Sequence, residues 1–180
     1  MTNEEYLTLA SQAKECQANK EQNPNLLENL YSTISSLDTK DQDDFITTLR
    51  DKSIAVWGQA PQTHTGYGVA RDAYSKVLTE RLIDAAITRT QIIQNGQGQS
   101  DKAKNIEKAV IGKMTNLPED LFTSLSAAIS SYEVPKENKG IALSQDAINR
   151  ISYGLRQVKD YLGKAQDERA KIAESEESTM

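Results

Sequence analysis

Apolar side chains recur along this chain at steps of three and four, the period that gathers them on one face of an α-helix. Tyr6, Leu9, Ala10, Ala13 and Cys16 predict a first helix over 3–20. Asn23-Pro24 then supplies a capping residue and a proline suited to the first helical position. Leu26, Leu27, Leu30, Tyr31, Ile34 and Leu37 follow as one wide apolar face. The acidic run from Asp38 to Asp44 predicts a turn and a third helix start, because carboxylates are stabilised at a helix N-terminus. Phe45, Leu49 and Val56 carry that helix to Trp57, which is expected to be buried at the bundle end. Residues 58–68, rich in Gly and polar side chains, predict a loop.

A long helix is predicted over 69–94, with Val69, Ala73, Val77, Leu78, Leu82, Ala85, Ala86 and Ile93 on its buried side. The segment 95–100, NGQGQS, breaks it, and Asp101 opens the next, with Ala103, Ile106, Val110 and Met114 inward. Leu117-Pro118-Glu119-Asp120 is a further helix start, leading to Leu121, Leu125, Ala128, Ile129 and Tyr132. After a loop at 133–141, Ile148, Ile151, Leu155, Val158, Leu162 and Ala165 form a heptad seam in a helix over 144–172. Such a seam suits the long helix of an antiparallel bundle, or a coiled-coil dimer. Residues 173–180 are small and acidic and are expected to lack fixed structure, leaving 1–172 as a single helical domain. The pattern as a whole predicts an all-α, up-and-down bundle of about five to seven helices with a long C-terminal helix.

Composition narrows the function more than the fold. The formal net charge is −5, with both signs spread along the chain, so a uniformly basic surface is excluded. Any contact with nucleic acid must rest on a few local Arg or Lys residues. Cys16 is the only cysteine, so no intramolecular disulfide forms, which fits a reducing compartment. The N-terminal residues lack a basic stretch followed by an apolar one, and no apolar run approaches the roughly 20 residues of a membrane span. A cytoplasmic protein without a membrane partner is expected.

Nothing in the chain has the spacing of a catalytic or metal site, so an enzyme, a metal ion and a cofactor are not expected. His64 is the only histidine and sits in the Gly/Pro loop, remote in sequence from Cys16. Gly66-Tyr67-Gly68 and Gly96-Gln97-Gly98 follow no predicted strand and lack the Lys-Ser/Thr of a phosphate cradle, so they read as helix connections. Asp41, Asp43 and Asp44 lack the glycine and closing glutamate of a calcium loop. Arg71 and Arg89 are 18 residues apart, five helical turns, and so share one side of the long helix. Their separation along its axis is roughly 27 Å, which suits separate partners better than one pocket.

Two segments resemble the coat proteins of rod-shaped plant viruses of the tobacco mosaic virus type. In 23–62, NPNLLENLYSTISSL is followed by a polar turn and a helix ending in Val56-Trp57-Gly58-Gln59-Ala60-Pro61-Gln62. That family has a similar Asp-Pro start, leucine-rich helix and Val-Trp-x-x-x-Pro-Gln ending. Thr88-Arg89-Thr90-Gln91-Ile92-Ile93 is similar to the family's Thr-Arg-Asn-Arg-Ile-Ile segment beside the RNA, and Asp101, Ala103, Ile106 and Ala109 resemble the start of its last bundle helix. The chain departs from the pattern at Gln91, where the family has a second arginine, and at Ile87, where it has an aspartate. The family's C-terminal aromatic pattern is missing, and 117–172 holds two helices the type protein does not need.

The resemblance implies a structural capsid protein that polymerises helically with itself and encloses single-stranded RNA, in a virion assembled in a host cytoplasm. Arg89 would contact phosphate, with Thr88, Thr90 and Gln91 beside it and the loop 94–100 lining the inner surface. Arg71, Asp101, Lys102 and Lys104 would complete that surface. The role requires Arg89 to be open to ligand rather than buried against an internal carboxylate. The alternative is a helical protein-interaction module, an adaptor or bacterial effector, that meets a protein partner through the helix 144–172.

Overall fold

The computed structural model describes residues 1–58, 66–96 and 100–178, apart from the side chains of 57, 100 and 178. The expectations for His64, for the side chain of Trp57, and for 97–99 within the polar loop fall outside the described residues. Seven helices account for nearly all of the described chain: α1 (Asn3–Asn19), α2 (Asn25–Ser36), α3 (Thr39–Trp57), α4 (Tyr67–Asn95), α5 (Ser100–Thr115), α6 (Glu119–Ser131) and α7 (Gln145–Ser178). The fold is an all-α helical bundle. Among the described residues, one ribbon pairs β1 (Glu137–Asn138) with β2 (Ile141–Ala142). The turn between them holds Lys139 at φ 52° and Gly140 at φ 79°, the two positive angles that a tight hairpin demands.

The chain divides into two compact units, Met1–Leu78 and Thr79–Met180. In the first unit, Thr2 and Glu5 form a reciprocal capping box at the start of α1. The side chain of Asp38 caps α3 by accepting the Asp41 N–H at 2.8 Å. Tyr6, Leu9, Ala13 and Cys16 of α1, Leu30 and Ile34 of α2, and Phe45 and Leu49 of α3 are buried as their spacing predicts, and Ile46 is buried beside them. The leucine, isoleucine and phenylalanine side chains among them each contribute about 1.5–3 kcal/mol on full burial. Leu27 and Val56, counted in the predicted apolar faces, are instead 41% and 72% exposed.

Gly66-Tyr67-Gly68 is not a plain connection. Gly66 adopts φ +77°, and a Cβ there would lie 2.5 Å from the backbone of Ala13 and Lys14. Only glycine lets the chain pass α1 so closely and open α4 at Tyr67, whose side chain is fully buried.

In the second unit α7 packs on α5 and α6. Leu155, Val158, Tyr161, Leu162 and Ala165 are buried, so most of the heptad seam is filled from within the unit. Gly154 brings α7 against α4: a Cβ there would sit 3.1–3.3 Å from Ile87 and Ile83. Residues 173–178 are helical, not the unstructured tail expected. Ala and Glu are strong helix formers, and these exposed turns simply extend α7. Among the described residues, no helix is long and apolar enough to cross a membrane.

Candidate functional site

The last three turns of α4 run beside the first four turns of α7, and the two enclose an open groove of about 610 Å³. Gly154 sets the spacing, since its missing side chain lets the helices approach just below the groove. From α4 the groove receives Ile87, Arg89, Thr90, Gln91, Ile93 and Gln94. From α7 it receives Asp146, Asn149, Arg150, Tyr153 and Gln157. Its walls therefore offer two guanidinium groups, one carboxylate, one phenol, several amides and an isoleucine edge.

Arg89 is tethered rather than free. Its Nη2 lies 3.4 Å from Glu107 Oε2, and its side chain keeps 21% exposure. Lys164 donates to the other oxygen of Glu107 at 3.0 Å. The hydrogen bond from Lys164 holds the Glu107 carboxyl below its ordinary range, with partial burial opposing it and the charges of Lys164 and Arg89 adding to it. The same bond raises Lys164. The Nε of Arg89 is buried and has no hydrogen-bond partner. Arg89 thus meets the requirement of an open phosphate ligand only in part, because α5 brings Glu107 against it.

The other expected contacts divide. Thr90 and Gln91 line the groove, Thr90 donating to Gln157 Oε1 at 3.3 Å. Thr88 faces solvent and spends its hydroxyl on the Asp84 carbonyl at 3.0 Å. Asp101 is exposed in the first turn of α5 and does not line the groove. Arg71 belongs to the first unit and pairs with its neighbour Asp72 at 3.2 Å. Ile93, expected on the buried side of α4, is 51% exposed on the groove edge.

All five groove residues on α7 escape a reading of that helix by its apolar seam alone: Asp146, Asn149, Arg150, Tyr153 and Gln157. Tyr153 is 45% exposed, and the guanidinium of Arg156 stands 5.6 Å from its ring centroid. Arg150 is exposed and makes no ion pair with any described residue. A second depression of about 580 Å³ continues past Gln157 toward Tyr161, Lys164 and Asp167, sharing Arg89 and Gln157 with the first. Its charges nearly balance, so the Arg150 end is the more positive.

Cys16 is buried, and burial pushes its thiol up, away from reactivity. Among the described residues, no cluster of three His, Cys, Asp or Glu is placed to hold a metal ion. Asp43 instead accepts from the Tyr74 hydroxyl at 2.6 Å. No protein-family model, curated protein or solved structure matches the chain.

Proposed function

We propose that this chain is a non-catalytic structural subunit of the rod-virus coat-protein type, which binds single-stranded RNA along the α4–α7 groove and polymerises with itself. The reading rests on one observation: Arg89, Thr90 and Gln91 share a groove with Arg150, Tyr153 and an array of amides. Guanidinium groups bind phosphate without reading sequence, and an exposed aromatic ring accepts any base by stacking. A few such contacts suffice when many subunits bind one strand, so a net charge of −5 is no obstacle.

A second reading has its own support. Ile93 is 51% exposed and Ile87 lies beside it in the groove, an edge that an amphipathic helix of a partner protein would cover. Negative-stain microscopy and sedimentation of the purified chain separate the two. Rods or discs containing nucleic acid are expected, and Arg89→Ala should stay folded and polymerise yet carry less RNA. A species the size of one or two 19.9 kDa chains, free of nucleic acid, would support the interaction module instead.

A further inference from the structure

From the exposed face of α7 we infer that Tyr153, flanked by Arg150 and Arg156, is the base-stacking element of the groove, and that these two arginines, more than Arg89, meet the phosphates. The inference rests on the RNA-binding reading and assigns its contacts to a helix that the resemblance does not touch.

The three residues stand at steps of three, so Tyr153 lies between the two arginines around α7, with about 9 Å of axial rise from Arg150 to Arg156; Arg150 and Tyr153 line the groove, and Arg156 stands beside Tyr153 outside that lining. Tyr153 is 45% exposed, although a ring of that size is normally well covered. Its hydroxyl makes no hydrogen bond with a described residue, and Arg156 lies 5.6 Å from the ring centroid. Neither Arg150 nor Arg156 is in an ion pair with a described residue, whereas Arg89 is held by Glu107 at 3.4 Å. A phosphate reaching Arg89 must compete with that carboxylate, but one reaching Arg150 or Arg156 need not. The α7 backbone beside Tyr153 passes close to α4: a Cβ added at Gly154 would lie 3.1–3.3 Å from Ile83 and Ile87. Gln91, Asn149 and Gln157 line the same groove; Asn149 Oδ1 accepts from Gln145 and Gln157 Oε1 from Thr90, which leaves their amide N–H groups to donate to a base edge.

The test uses the full chain with fluorescein-labelled twelve-nucleotide oligoadenylate and oligouridylate, read by anisotropy across a salt series. Tyr153→Ala should weaken oligoadenylate binding about five- to hundredfold, while Tyr153→Phe retains it, because stacking needs the ring and not the hydroxyl. Arg150→Ala should reduce the salt slope by about 0.7, the loss of one phosphate contact on a single strand. Circular dichroism checks that each variant is folded. Ultraviolet crosslinking of a 4-thiouridine strand should label the tryptic peptide 151–156, ISYGLR, which trypsin releases between the two arginines. A wild-type chain that binds RNA, with Tyr153→Ala unchanged or with label confined to the peptide 90–102, would overturn the inference and leave the RNA-binding reading standing. A wild-type chain that binds neither strand overturns both.

Discussion

Single residues decide several local structures that periodicity alone leaves open. Gln42 lies in the polar start of α3, yet it is 3% exposed. Its amide donates to the carbonyls of Ile34 at 3.1 Å and Leu37 at 3.0 Å, so it closes the C-terminus of α2 from the next helix. Gln42→Glu replaces that donor with a carboxylate facing carbonyl oxygens. It should cost at least about 1–3 kcal/mol in urea unfolding at neutral pH, and an unchanged midpoint would show that water closes α2 instead. Glu107 gives a pH dependence of definite sign. Its folded pKa is lowered, chiefly by the Lys164 hydrogen bond. The stability it adds is present above the unfolded glutamate value of about 4.3 and is lost as pH falls through the lower folded value. Thermal melts of Glu107→Gln should therefore lose less stability than wild type below that range, and parallel curves would remove the carboxylate from the acid transition.

At the scale of elements, helix existence and type were legible in the sequence, while ends and exposed faces were less so. All seven helices follow from apolar steps of three and four and from capping residues such as Asp38 and Ser144. Leu27, Val56 and Ile93 are apolar in helical register yet exposed, because register says which side chains share a face and not how far a partner helix extends over it. Of the eleven groove residues, the resemblance named three as contacts: Arg89, Thr90 and Gln91. Arg150 and Tyr153 lie on the polar side of α7, and polar positions look alike in sequence until another helix is placed beside them. Arg169 is the same case in a structural role. Its Nη1 donates to the carbonyls of Thr115 at 2.9 Å and Leu117 at 2.6 Å, closing α5, while its guanidinium lies 4.3 Å over the Phe122 ring. Arg169→Ala should lower stability by about 1–3 kcal/mol by stranding those carbonyls. Arg169→Lys should recover only part of it, since an ammonium lacks the planar fork that reaches several acceptors. Full recovery by lysine in denaturant unfolding would reduce the contact to simple charge.

For the whole molecule, charge sets the two proposed processes, self-association and RNA binding, against each other. Each chain carries a net −5 near neutral pH, with a sequence pI of about 5.0. Copies of such a chain repel, and added salt screens the repulsion over a length that shrinks to about 8 Å at 0.15 M. Salt and acidification toward the pI should therefore both promote association of the chain with itself. RNA binding as proposed would have the opposite sign, because each phosphate neutralised by Arg150, Arg156 or Arg89 would release counterions, and salt opposes that release. Sedimentation of the RNA-free chain should show larger particles at 300 mM than at 50 mM salt, on the order of the concentrations that separate these regimes. Oligonucleotide affinity should fall over the same interval. The opposed signs keep the two activities apart in one experiment. If self-association also weakened with salt, opposite charges would have to meet between copies, and the interface would be an ion-paired one rather than a contact of like-charged surfaces held by apolar residues such as Val56 and Ile172, which are 72% and 46% exposed.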